Sequence, residues 1–115
     1  MDAVTRRLRE HPAFDEGRAA ADVELAGGQL GYRLCGKPSW PVCDDAAAIL
    51  RERFGVRVQV DGSGLTPLEV AARAQGYNER MEQEIRSRFG RDVVSEVFRE
   101  VERKHKKVRK KSRPR

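Results

Sequence analysis

The residue types most able to do chemistry lie at the C-terminal end of the chain. From Lys104 onward it reads KHKKVRKKSRPR, in which Lys104, Lys106, Lys107, Arg109, Lys110, Lys111, Arg113 and Arg115 accumulate with no acidic residue among them. Cations at that density neutralise phosphates and release their counterions, which is the chemistry of sequence-independent, salt-sensitive binding to RNA or DNA. The segment holds no aromatic residue, so bases cannot stack on it. Nucleoprotein or acidic protein surfaces would attract it equally. An anionic membrane would too, but the segment lacks the Trp/Phe/Leu face of an interfacial helix, and no membrane partner is expected. A purely solubilising role is the bland alternative, because charge alone specifies no partner.

The rest of the chain is not basic. Of 24 Lys and Arg residues eight lie beyond residue 103, which leaves 16 against 18 acidic residues in positions 1–103, a body near −2 under a formal net charge of +6. The isoelectric point of 9.8 therefore describes the extension. The expected organisation is one small domain over 1–103 with a basic extension over 104–115, since 115 residues suit a single domain with a modest core. The composition is 38% hydrophobic and 37% charged, with Phe14, Tyr32, Trp40, Phe54, Tyr77, Phe89 and Phe98 as the aromatic stock. That balance suits helices with long solvated faces. No apolar run approaches the roughly 20 residues of a membrane span, and MDAVTRRLREHPAFDEG resembles neither a signal nor a transit peptide, so a cytoplasmic location is expected.

Two cysteines, Cys35 and Cys43, make no disulfide framework, and in a reducing compartment both are expected as free thiols. With His11 and His105 they exhaust the soft metal ligands, and none pairs at the spacing of a structural zinc site, so no metal and no cofactor are expected. Neither Gly-X-Ser-X-Gly nor His-Glu-X-X-His occurs. The stretch Asp61 to Thr66 runs from a strand towards a helix start, where anions are favoured, but it lacks the Gly-Lys-Ser/Thr ending of a P-loop and reads as a turn and cap.

The elements that would position these groups follow from periodicity. Pro12 separates a short segment carrying Val4 and Leu8 from a helix near 13–26, with Phe14, Ala21 and Leu25 on one side. Residues 29–34 alternate as a half-buried strand, and VRVQV at 56–60 repeats the pattern. Between them a helix over 40–54 carries Cys43, Ala46, Ala47, Leu50 and Phe54 on one stripe. Thr66, Pro67 and Glu69 read as a capping box with proline at the first helical position. The helix they open runs to Phe89 through Val70, Ala74, Tyr77, Met81 and Ile85, with Gly76 as a point of bending and Glu82–Arg86 and Glu84–Arg88 as solvent-side pairs. Gly90 stops it, Asp92 caps the next, and Val94, Val97, Phe98, Val101 and Val108 carry an apolar stripe into the basic segment, with fraying expected only from Ser112.

The segment YRLCGKPSWPVCDDAAAILRERFGVRVQVD, residues 32–61, resembles the opening strand, helix and strand of glutaredoxins, in which a Lys-Pro element leads into a Cys-Pro-X-Cys helix start. Lys37, Pro38, Ser39, Trp40, Pro41, Val42 and Cys43 occupy that stretch. The resemblance implies that Cys43 stands at the resolving position and that Trp40 replaces the nucleophile. Cys35 is then the candidate substitute for the attacking thiol. Everything after residue 66 reads as helix, where that family has further strands and a Thr-Val-Pro loop.

The expected fold is α+β and mostly helical: a small two-stranded sheet (29–34, 56–60) covered on one face by long helices (67–89, 93–108). A helical crossover makes the strands parallel. A lone parallel pair has little independent stability, so a homodimer or a protein partner completing the sheet is a natural expectation. The leading functional expectation is a non-enzymatic binding module whose tail contacts nucleic acid. An atypical thiol-redox domain using Cys43 with Cys35, and a scaffold domain with a solubilising tail, are the alternatives.

Overall fold

The structure is a computed structural model and describes residues 2–35, 40–61 and 67–112. The turn at Asp61 to Thr66, the Lys37–Pro38–Ser39 stretch, Arg113 and Arg115 lie wholly or largely outside the described residues. In chain order the elements are α1 (Ala3–Glu10), α2 (Pro12–Ala26), β1 (Leu30–Cys35), α3 (Trp40–Phe54), β2 (Val56–Asp61), α4 (Leu68–Phe89) and α5 (Val93–Ser112). The strands pair in parallel with Leu30 opposite Val56 and Leu34 opposite Val60. The mostly helical α+β architecture expected from periodicity is the one observed, with each strand shifted or extended by one residue.

Local chemistry explains most boundaries. Asp2 caps α1 by accepting from the Thr5 N–H at 2.7 Å. His11, extended as a residue before proline must be, caps α2 by accepting from the Ala13 N–H at 3.1 Å, with Pro12 in the first turn. Gly90 ends α4 in the left-handed region at φ 72°, a conformation that costs glycine nothing. The start of α4 departs from the capping-box reading: Pro67 stands at the cap position rather than the first helical one, and Glu69 pairs with Arg73 at 2.9 Å. Thr66 lies outside the described residues.

The core gathers Ala21, Leu30, Ala46, Leu50, Val56, Tyr77, Met81, Ile85, Val93, Val94, Val97 and Val101 in one cluster. Leu50, Met81 and Ile85 are fully buried, each contributing about 1.5–3 kcal/mol of transfer free energy. Phe54 and Phe89 close its rim edge to face at 5.2 Å. α4 packs chiefly on α2 and β1, whereas α5 packs chiefly on α3.

Packing gives Gly76 a role that periodicity did not: a Cβ there would run into the backbone of Phe14, and a Cβ on Gly17 would run into the backbone of Arg73. The two glycines let α2 and α4 approach backbone to backbone. The half-buried reading of β1 changes at Gly31, which is buried beneath the Tyr77 ring that fills the space a side chain would need. Likewise Glu82 is not simply solvent-side: the Arg86 charge acts on it, but its carboxyl is half-buried. It turns inward beside Tyr32, while Arg86 reaches Asp92 at 3.6 Å. Glu84 and Arg88 do pair, at 3.0 Å.

Candidate nucleic-acid interface

α5 opens on Asp92, whose carboxylate accepts from the Ser95 N–H at 3.2 Å and from the Ser95 hydroxyl at 2.8 Å. Its first half buries Val93, Val94, Val97 and Val101. One turn further on, His105 Nε2 lies 2.7 Å from Asp45 Oδ2 near the start of α3, and Arg53 near the end of α3 approaches Glu100 at 4.0 Å. The two helices therefore run antiparallel, and α5 is in contact with α3 as far along as His105. It does not stop there. The helix continues unbroken to Ser112, across the boundary at residue 103 where the composition changes. A radius of gyration of 15.4 Å, against about 13 Å for a compact chain of this length, fits an element that runs on past the body.

That continuity sorts the charges. At about 100° per residue, Arg103, Lys104, Lys106, Lys107, Lys110 and Lys111 fall within an arc of roughly 160°. Val94, Val97, Val101, His105 and position 108 occupy the opposite arc, with Arg109 at its margin. Lys104, Lys106 and Lys107 are exposed. Glu100, Arg103, Lys104 and Lys107 line a shallow concavity of about 170 Å³ on the same side. Lys104 lies 3.6 Å from Glu100, but with these side chains 66% and 41% exposed the pair holds the cation only weakly. Glu102 is the last acid on α5, and cations at the C-terminal end also suit the helix dipole. Such a face can neutralise phosphates along one side of a groove. It carries no group for reading bases.

The cysteines are not brought together as a reactive pair by anything described. Cys43 sits in the fourth position of α3, 4% exposed against the core. Burial, and after it the Asp44 carboxylate, push its thiol pKa up, away from the thiolate that nucleophilic chemistry needs. Cys35 ends β1, and its side chain lies outside the described residues. Among the described residues no group of three or more His, Cys, Asp or Glu side chains is placed to hold a metal ion, and no helix is long and apolar enough to cross a membrane.

Sequence reasoning missed a partly buried polar arrangement on β1. Tyr77 is fully buried and donates to Glu24 Oε1 at 3.1 Å, Arg57 reaches the same oxygen at 3.0 Å, and the Arg33 guanidinium lies 4.1 Å from the centre of the Tyr77 ring. Burial, then Glu24, push the Tyr77 hydroxyl up to about 12. Beside it the Asn78 amide accepts from the Arg33 N–H and donates to the Arg33 carbonyl, both at 2.7 Å. An asparagine inside a helical stripe was the available signal, since that residue weakens helices unless its amide is used elsewhere. A cleft of about 290 Å³ between α1, β1 and α4 adjoins it, with Leu8, Tyr32, Leu34 and Ala74 in its walls. Of the two amides in its walls, Asn78 is already bonded to β1 and Gln75 donates to Glu79 at 2.9 Å.

Comparison with known proteins returned no matching family model, no matching curated protein and no matching solved structure. Any functional reading therefore stands on geometry.

Proposed function

We propose that this protein is a non-enzymatic binding module that lays the basic face of α5 along the phosphate backbone of double-stranded nucleic acid, without reading its sequence. One observation carries the reading: α5 remains a single helix through Ser112, so that positions 104, 106, 107, 110 and 111, all lysine, fall on one side of it opposite the buried stripe, with Arg109 off that side. A helix fixes their spacing before contact, which lowers the ordering cost that a disordered tail would meet on binding. The mildly acidic body contributes no competing attraction, so binding depends on the extension.

The test is fluorescence anisotropy with short duplexes of scrambled sequence, DNA and RNA in parallel, as salt is raised. The full chain is expected to bind every sequence comparably, with a logarithmic salt slope of about −5 on DNA if six phosphates are neutralised. A chain ending at Arg103 should keep a cooperative unfolding transition, lose only the ellipticity of residues 104–112, and lose at least tenfold in affinity. Unchanged binding by the truncated chain, or a salt-insensitive complex, refutes the reading.

A further inference from the structure

The two outer edges of the sheet are treated differently. On the outer side of β1 the Asn78 amide meets Arg33 as a neighbouring strand would, so both backbone groups of Arg33 point away from β2. Along a strand successive residues alternate in direction. Arg33 stands opposite Gln59, so Gln59 bonds inward to β1 and the backbone groups of Val58 and Val60 point outward. Among the described residues the sheet has no third strand, and no backbone group bonds to Val58 or Val60 from outside.

The geometry points to a second copy of this chain as the occupant of that edge, its β2 antiparallel to this one about a two-fold axis at Gln59. The result is a four-stranded sheet in which the two β2 strands are central. The register follows from the outward groups and from charge. With the axis at Gln59, Val58 faces Val60 of the second copy and exchanges both backbone hydrogen bonds with it, and the reverse pair does the same. Arg57 then stands across from the position of Asp61 in the second copy, and the symmetry repeats the opposite-charge pairing on the other side. An axis at Val58 would instead set Arg57 against Gln59 and leave Asp61 across from Gly55.

Other features of the edge agree. The strand VRVQVD carries no Lys and no Pro, the residues that usually blunt an exposed edge. Alongside it α3 presents the small side chains of Ala47 and Ala48, flanked by Asp44 and Arg51, and with Arg57 and Val58 they enclose an open groove of about 160 Å³. An added strand has room there. Arg57 keeps Glu24 at 3.0 Å and, with the Gln59 amide oxygen turned towards it, donates there at 3.0 and 3.3 Å, which leaves its Nη1 donors to offer.

Sedimentation equilibrium on the full chain, without nucleic acid, is the first measurement, and a concentration-dependent dimer is expected. The register is read by cross-linking in a Cys35→Ser background. Gln59→Cys places two thiols in a non-hydrogen-bonded pair with Cα atoms about 4.5 Å apart, within disulfide range, so a mild oxidant should link the dimer. Arg57→Cys, roughly 14 Å from its own mate, should not link. Arg57→Asp and Asp61→Arg alone should each weaken dimerisation about tenfold, and the double exchange should restore it. A strict monomer at all concentrations overturns the inference. So does a dimer that links through Arg57→Cys and not through Gln59→Cys. Circular dichroism of each variant separates loss of pairing from loss of fold.

Discussion

Asn78 lies in mid-helix, where it costs a few tenths of a kcal/mol relative to alanine, and offsets that by closing the outer side of β1 at Arg33. Asn78→Leu would fill similar space and leave the Arg33 N–H and carbonyl without the amide. A loss of about 1–3 kcal/mol is expected in urea unfolding, with the m-value unchanged. Glu82 acts in the opposite sense. Burial, and then the Asp92 carboxylate, raise its pKa above the ordinary carboxylate value. The folded state therefore holds that proton more tightly than the unfolded state does. Stability from this group is complete below the usual carboxylate range and is lost as pH rises through the raised folded value. Glu82→Gln should thus raise the melting temperature at neutral pH, and the gain should vanish in acid, where both states of the wild type are protonated. A constant gain across pH would refute the assignment.

Among the elements, the α2–α4 contact is the most tightly determined. Gly→Ala inside a helix ordinarily gains up to about 1 kcal/mol of propensity. At Gly17 or Gly76 the new methyl would meet backbone of the facing helix, which cannot turn aside as a flexible side chain can. Overpacking of this kind costs about 1–3 kcal/mol and outweighs the propensity. Thermal unfolding of Gly76→Ala should therefore show a lowered midpoint, where propensity alone predicts a raised one. α5 past His105 carries the exposed Lys106 and Lys107 and continues as helix to Ser112. Val108→Pro should break it there, since proline removes a hydrogen bond and clashes with the carbonyl four residues earlier. Helical ellipticity and duplex affinity should both fall, with the unfolding midpoint of the body unchanged. Affinity unaffected by the break would mean that charge alone, not the helical face, does the binding.

On the scale of the whole molecule the charge is divided: a body near −2 and an extension of eight cations. Binding driven by phosphate neutralisation should respond to each cation as a count. Lys107→Gln should shift the salt slope on duplex DNA by about one unit and weaken all sequences alike. A sequence-dependent loss would show a base contact that this face has no group to make. A dimer through β2 would carry two such helices in one particle, and its avidity would then depend on whether one duplex can reach both.

Composition and periodicity by themselves determined the helical stripes, both strands, their parallel connection and the separation of charge, because each of these is a one-dimensional pattern set by repeats of 3.6 or 2 residues or by neighbours in the chain. The unbroken run of α5 into the basic segment was legible in the same way, through Val101 and Val108. Only the tertiary structure decided that Gly17 and Gly76 bring α2 and α4 together, that Glu82 lies half-buried beside Tyr32, that the Cys43 thiol is buried, and that Asn78 reaches across to β1. Those outcomes depend on residues 45 and more positions apart meeting in space, and on which atoms then exclude water, and no local pattern carries that information. The face of the cations could be read along the chain. The side of the sheet left open could not, because it is set by one amide on another helix.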